Sequence, residues 1–261
     1  MRPIELANVR AEAAGFAADR LERIHAVLAA DVASGRIPGA VSLVARDGKL
    51  AWHDAVGARD PKTGAAMTRD AIFRIYSMSK PITSLAIMML VEEGRLLISD
   101  PASKFIPAFK DLKVGVAVAG GGLRLEAARR EMTVHDLLRH TSGLIYGHAG
   151  ETPVHRAYRE AGIGSRNDTN EQVIAKLASV PLAHQPGEEF DYSISTDVLG
   201  RIVEVVSGES LDAFVRSRIT GPLGMTDTGF EVAAEHHQRI AEPGIDPLTG
   251  WFRTNCETRQ F

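Results

Sequence analysis

Asp47-Gly48 lies between two strand-like runs, Gly39 to Ala45 and Leu50 to Val56, and this arrangement commits the chain to an antiparallel hairpin early. Two strands alone are marginal in water, so the rest of the chain has to complete a sheet around them. Ahead of the hairpin, Ala14 to Val32 spaces Phe16, Leu21, Ile24, Val27 and Leu28 as the stripe of an amphipathic helix, with Gly35 as its stop. From Ile72 onward helical signals dominate: Ile82 to Glu93, Thr133 to Arg139, Asn170 to Leu177, Thr196 to Ser207 and Ser210 to Ile219, with Gly94, Gly208 and Gly221 as stops. Pro- and Gly-rich connections, notably Ala119-Gly120-Gly121-Gly122 and Pro181 to Gly187, separate the helices. The expected class is α/β in the α+β sense, an antiparallel sheet flanked by helices plus a largely helical domain. Residues 1–75 begin the sheet domain, 76–230 form the helical domain and 231–261 start the return to the sheet.

Charge and cysteine usage exclude several functions. Lys and Arg total 30 against 33 Asp and Glu, a net charge of -3, with the basic residues scattered, so nucleic acid is not an expected partner. The one cysteine, Cys256, allows neither an intrachain disulfide nor a thiolate metal cluster, and the cytoplasm fits best. Met1 to Leu21 contains no uninterrupted apolar stretch of the export-signal kind. The longest apolar run, Leu85 to Val91, is far short of the ~20 residues of a membrane span, so no membrane partner is expected. No cofactor is expected either. His148, Glu151 and His155 approach metal-ligand spacing, but Gly147, Gly150 and Pro153 interrupt them and a surface loop is the reading; His236-His237 is the other candidate pair. Gly120 to Gly122 lacks the Lys-Ser or Lys-Thr of a phosphate loop, and no Gly-x-Ser-x-Gly elbow of an α/β-hydrolase is present. His135 and His140 flank Leu137-Leu138 and read as capping or packing residues.

Ser77-Met78-Ser79-Lys80-Pro81 carries the chemistry. Proline is tolerated only in the first turn of a helix, so Pro81 makes the helix begin near Ser77. A hydroxyl there lies at the positive end of the helix dipole, and Lys80, three residues on, shares its face. Desolvation can bring a lysine toward a pKa of ~7 to 8, which suits a general base that activates a serine nucleophile.

Phe73 to Leu97, with Ser-Met-Ser-Lys-Pro-Ile-Thr followed by an apolar helix and Glu92-Glu93-Gly94-Arg95-Leu96, resembles the nucleophile helix of class C β-lactamases and family VIII carboxylesterases. Thr133-Val134-His135-Asp136-Leu137-Leu138-Arg139-His140-Thr141-Ser142-Gly143-Leu144, then Pro186-Gly187-Glu188-Glu189-Phe190-Asp191-Tyr192-Ser193, and Gly221-Pro222-Leu223-Gly224-Met225 are similar to the same superfamily in the same order, from about Gly39 to Phe230. The resemblance implies a β-lactamase/transpeptidase-like fold and gives Tyr192 the role of general base or proton relay facing Ser77 and Lys80. A tyrosine with a pKa of about 10 needs a nearby ammonium to serve as a base, which Lys80 can supply. Lys80 and Tyr192 stand as alternative bases, or as a pair sharing one titration.

Two departures from the pattern shape the expectation. Many β-lactamases of this type carry Asn two residues after the tyrosine, where it binds the substrate amide; this chain has Ile194, which favours the esterase branch. The family's third element, a Lys-Thr-Gly, His-x-Gly or Trp-x-Gly strand that helps form the oxyanion hole, has no match late in the chain, and Lys62-Thr63-Gly64 precedes Ser77 and reads as a turn. The expected activity is therefore cleavage of small-molecule carboxylic esters through an acyl-enzyme on Ser77, with β-lactamase or D-alanyl-D-alanine peptidase activity as the alternative. Family members extend further, so the sheet is expected to be incomplete, with an exposed edge that favours self-association and a non-catalytic binding or complementation role as the competing reading.

Overall fold

In the computed structural model, residues 6–165 and 167–244 are described. The chain divides into two compact units, residues 1–75 with 222–261, and residues 76–221. The expected boundary at 230 is corrected to Gly221. Backbone pairing carries the expected return to the first unit: Ile72 N–H donates to Arg239 O (2.8 Å), Ala241 N–H to Ile72 O (2.8 Å) and Glu242 N–H to Arg59 O (2.8 Å), while Arg74 reaches Glu242 at 3.2 Å. Those bonds tie residues 239–242 to the strand region of the first unit. Cys256 and the remainder of the expected 231–261 return lie outside the described residues.

The first unit is built on the hairpin read from the sequence. A short strand β1 (Ala7–Asn8) runs parallel to β3; helix α1 (Ala18–Ala33) follows; β2 (Gly39–Arg46) and β3 (Lys49–Asp60) pair antiparallel; and β4 (Ala65–Ala66) returns on β3, giving the order β1-β3-β2 with β4 off β3. Asp47 and Gly48 both take left-handed φ, 50° and 71°, the requirement of the tight turn whose twist matches the flanking strands. Trp52 Nε1 donates to Ser42 Oγ at 2.8 Å across the pair, and Arg46 lies 4.0 Å over the Phe16 ring. Lys62-Thr63-Gly64 forms the β3–β4 turn. The Asp60 carboxylate accepts from Lys62 N–H and Thr63 Oγ, both at 2.9 Å, and Gly64 has φ 73°. Among the described residues β2 is paired on one side only.

The second unit is helical with one hairpin. It comprises α2 (Ser79–Glu92), β5 (Lys113–Val118) and β6 (Gly122–Ala127), α3 (Val134–Leu138), α4 (Pro153–Glu160), α5 (Asn170–Leu177), α6 (Ser195–Ser207) and α7 (Leu211–Val215). Helix α6 is central, packing on α2, α3, α5 and α7. Its Val198, Leu199, Ile202 and Val203 are fully buried, as are Ile87 and Leu90 of α2. Each such side chain contributes about 1.5–3 kcal/mol on leaving water.

Two elements differ from expectation. Gly120 and Gly121, with φ 86° and 81°, are the turn of the β5–β6 hairpin rather than a loop between helices, and the alternation of Val114, Val116, Val118 with Leu123 and Leu125 carries its pattern. Pro153 opens α4 instead of breaking it: Thr152 is the cap, its hydroxyl accepting from His155 N–H, and proline suits a first helical position. His155 is thus helical, correcting the loop reading. Among the described residues, no helix is long and apolar enough to cross a membrane and no cluster of His, Cys, Asp or Glu is arranged to hold a metal.

Candidate active site

Ser77, Lys80 and Tyr192 all belong to the second unit. A 3-10 turn, Tyr76–Met78, leads directly into α2, so Ser77 occupies the opening turn and Pro81 is the third residue of the α-helix, as its missing N–H demands. Tyr76 has φ 43°, a left-handed conformation that costs a non-glycine residue ~1–3 kcal/mol and turns the chain sharply before Ser77. Ser77 is exposed and Lys80 half-buried.

Two tyrosine side chains converge on the Lys80 ammonium. It donates to Tyr146 Oη at 3.2 Å, lies 4.8 Å from the centre of the Tyr192 ring and hydrogen-bonds the Tyr192 phenol. Desolvation is the largest influence on Lys80 and pushes its pKa down, but the hydrogen bonds to Tyr192 and Tyr146 together outweigh it, and the net direction is upward. The expected depression of Lys80 toward neutrality is therefore corrected: this lysine is held as a cation. Tyr192 moves the other way. A hydrogen bond from Ser77 lowers its pKa most, desolvation opposes this, and Lys80 lowers it further. The proton is thus biased away from the phenol and onto the amine.

Tyr146 and His140 complete the cluster, and neither was singled out for chemistry from the sequence. The Tyr146 ring is 5.8 Å from that of Tyr192 and stacks on His148 at 5.3 Å, with its phenol pKa raised by burial. The His140 ring is 4.9 Å from Tyr192. Asp197, in the first turn of α6, has its pKa raised by desolvation and lies close enough to act on Lys80, Tyr146 and Tyr192. Ile194 is buried, 3% exposed, so the position that holds Asn in many β-lactamases offers a substrate neither a hydrogen bond nor a surface.

The loop carrying His140 and Tyr146 is fixed by Asp136. Thr133 and Asp136 form a capping box at the start of α3, and the buried carboxylate also accepts from Arg130 (2.5 and 2.9 Å) and Thr141 Oγ (3.2 Å). Desolvation raises the Asp136 pKa, but the Arg130 and Thr133 hydrogen bonds prevail and bring it from 3.8 to about 2. A depressed carboxylate stabilises the fold fully above its unfolded value and loses that contribution as pH falls through its folded value. Asp136 should therefore contribute about 2 kcal/mol above pH ~4, lost between pH ~4 and ~2. Urea unfolding of Asp136→Asn should show that loss at neutral pH and a flatter acid profile. Unchanged stability would contradict this role.

The model of the family described as Beta-lactamase matches residues 24–247. An uncharacterized protein of Mycobacterium tuberculosis is 42% identical over 208 residues, 80% of this chain and 51% of that protein. Esterase EstB of Burkholderia gladioli is 36% identical over 232 residues, 88% of this chain and 56% of the esterase. Among solved structures, EstCE1, described as a hydrolase with promiscuous acyltransferase activity, aligns with a TM-score of 0.73 at 32% identity over 86% of this chain and 57% of that one. Unliganded Simvastatin Synthase (LovD) from Aspergillus terreus aligns with a TM-score of 0.73 at 28% identity, covering 87% of this chain and 57% of its own. The chain spans about half the length of the curated relatives it matches. Its fold is of the β-lactamase/transpeptidase-like α+β kind.

Proposed function

The chain belongs to the β-lactamase-like serine hydrolase superfamily, and from that premise we propose that it cleaves small carboxylic esters through an acyl-enzyme on Ser77. The observation that carries this reading is the gathering of exposed Ser77, the Lys80 ammonium and the Tyr192 phenol, with Lys80 Nζ 4.8 Å from the Tyr192 ring centre and 3.2 Å from Tyr146 Oη; the hydrogen bonds among them push the Tyr192 pKa down and that of Lys80 up. Tyr192, as phenolate beside the Lys80 ammonium, takes the Ser77 proton while Oγ bonds to the ester carbonyl carbon. The Ser77 backbone N–H, at the positive end of α2, serves as one oxyanion donor. Tyr192 then returns the proton to the departing alcohol, leaving the acyl group on Ser77. Water repeats the sequence: Tyr192 takes its proton while the water oxygen bonds to the acyl carbon, then the carbon–Oγ bond breaks, the carboxylic acid leaves and Tyr192 returns the proton to Ser77 Oγ. Tyr146 keeps Lys80 directed at Tyr192 by accepting one of its N–H bonds.

Esters are preferred to β-lactams in this reading because Ile194 is apolar and buried where an amide-binding Asn would stand. One lost hydrogen bond of ~1–3 kcal/mol corresponds to about 5- to 150-fold in kcat/KM. Comparing a p-nitrophenyl butyrate ester with a chromogenic cephalosporin should show at least that preference. A clear preference for the cephalosporin would assign the site to the lactamase branch. The similarity to EstB and to EstCE1 supports the ester side. A cytoplasmic setting belongs to the same reading, supported by the single cysteine of this chain.

A further inference from the structure

His140 follows α3 in a left-handed conformation, φ 57°, which is sterically costly for a residue with a Cβ. From there it grips the chain on both sides of Tyr192. Its carbonyl accepts from Asp191 N–H at 2.9 Å, and its ring Nδ1 accepts from Ser193 N–H at 3.2 Å. The ring itself lies 4.9 Å from Tyr192 and meets Phe190 edge-on at 6.1 Å. Beyond Nδ1 runs a chain of buried hydroxyls: Ser193 Oγ is 3.4 Å from Nδ1 and 2.8 Å from Ser195 Oγ, which is 2.8 Å from Ser142 Oγ, which accepts Leu144 N–H at 3.2 Å. The three serines have no exposed surface, so their hydroxyls have only one another and neighbouring backbone to bond.

We infer that His140 is a positioning residue for Tyr192, acting in its neutral form as the acceptor that anchors the Tyr192–Ser193 backbone to this buried hydroxyl chain. The inference rests on the reading of Tyr192 as the base. An acceptor Nδ1 puts the ring proton on Nε2. Protonating Nδ1 would set one N–H against another and add a cation to a site that already holds one. Among the described residues the charged and titratable groups acting on the ring are Lys80 from α2 and Asp191 from the segment before α6, with the Tyr192 ring 4.9 Å away; the nearest charges before it in the chain are Arg139 and Asp136. Arg139 and Asp136 pair with each other at 3.6 Å, and Asp191 pairs with His184 at 3.1 Å. Desolvation, then Lys80, lower the His140 pKa, with Asp191 opposing, which keeps the ring neutral to below the ordinary 6.5.

The pH dependence of kcat/KM for a short-chain ester tests this. The wild-type rate should fall with one proton as Tyr192 is protonated and with a second below pH 6.5, where His140 is protonated and releases Ser193. His140→Asn has no titrating ring, offers Oδ1 to the Ser193 N–H and tolerates left-handed φ, so it should fold, keep near-wild-type kcat at neutral pH and lack the lower break. His140→Leu should lose about 10²-fold in kcat with little change in KM; if strain at φ 57° prevents its folding, His140→Asn decides. A lower break that persists in His140→Asn, or a kcat for that variant as low as that of Tyr192→Phe, overturns the inference alone. A wild-type protein with neither ester turnover nor fluorophosphonate labelling of Ser77 overturns the functional reading and this inference with it.

Discussion

Ser77→Ala should lower ester kcat/KM by at least about 10⁴-fold while leaving folding stability within about 0.5 kcal/mol of wild type. The two halves of this expectation have separate causes. Ser77 is exposed in the 3-10 turn that leads into α2, so removing its hydroxyl empties no core, and its partner among the described residues is Tyr192. The catalytic loss is large because no other group inherits the role. Ser79, two residues on, has entered the α-helix and faces elsewhere by the helical period. Steady-state hydrolysis of a p-nitrophenyl ester alongside urea unfolding checks both halves. A variant that keeps a tenth of wild-type turnover would remove Ser77 from the mechanism.

Tyr192→Phe should cost about 10²- to 10⁴-fold in kcat, the usual range for a positioned general base. Its ring contacts to Lys80, Tyr146 and His140 survive the change, so KM should move far less. The variant also separates the two candidate bases. With the phenol gone, Lys80 loses the larger of the two hydrogen bonds that hold its pKa up, while desolvation continues to push it down. Activity remaining in Tyr192→Phe should therefore come with a pH optimum moved upward, toward the lysine's own titration, because the Lys80 amine must then lose its proton to take up the role. Wild-type kcat in Tyr192→Phe with an unchanged optimum would make Lys80 the base and Tyr192 a packing residue.

The sequence was most informative where local chemistry leaves one solution. Asp47-Gly48 demands two left-handed residues, and both are found. Pro81 demands a helix start, and α2 begins at Ser79 behind a 3-10 turn containing Ser77. It was least informative where one residue type has two uses. Pro153 ends helices but also opens them, and only Thr152 in front of it distinguishes α4 from a loop. Gly120-Gly121 marks a loop or a hairpin turn, and the alternation on both sides had to decide. Motif order named Ser77, Lys80 and Tyr192 as candidates, and the fold brings them together, whereas nothing in the sequence named Tyr146 and His140 for chemistry, since their proximity to Lys80 and Tyr192 depends on how Asp136 anchors the loop after α3. The direction of the Lys80 pKa was beyond sequence altogether: burial and hydrogen bonding act oppositely, and only the geometry of two tyrosines sets the balance.

The central claim, a covalent acyl-enzyme at Ser77, is tested most directly by intact-mass analysis after treatment with a fluorophosphonate, followed by peptide mapping. One adduct per chain on the peptide containing Ser77, absent in Ser77→Ala and slowed in Tyr192→Phe, is the expected result. An adduct at Ser79, or equal labelling in Ser77→Ala, would contradict it.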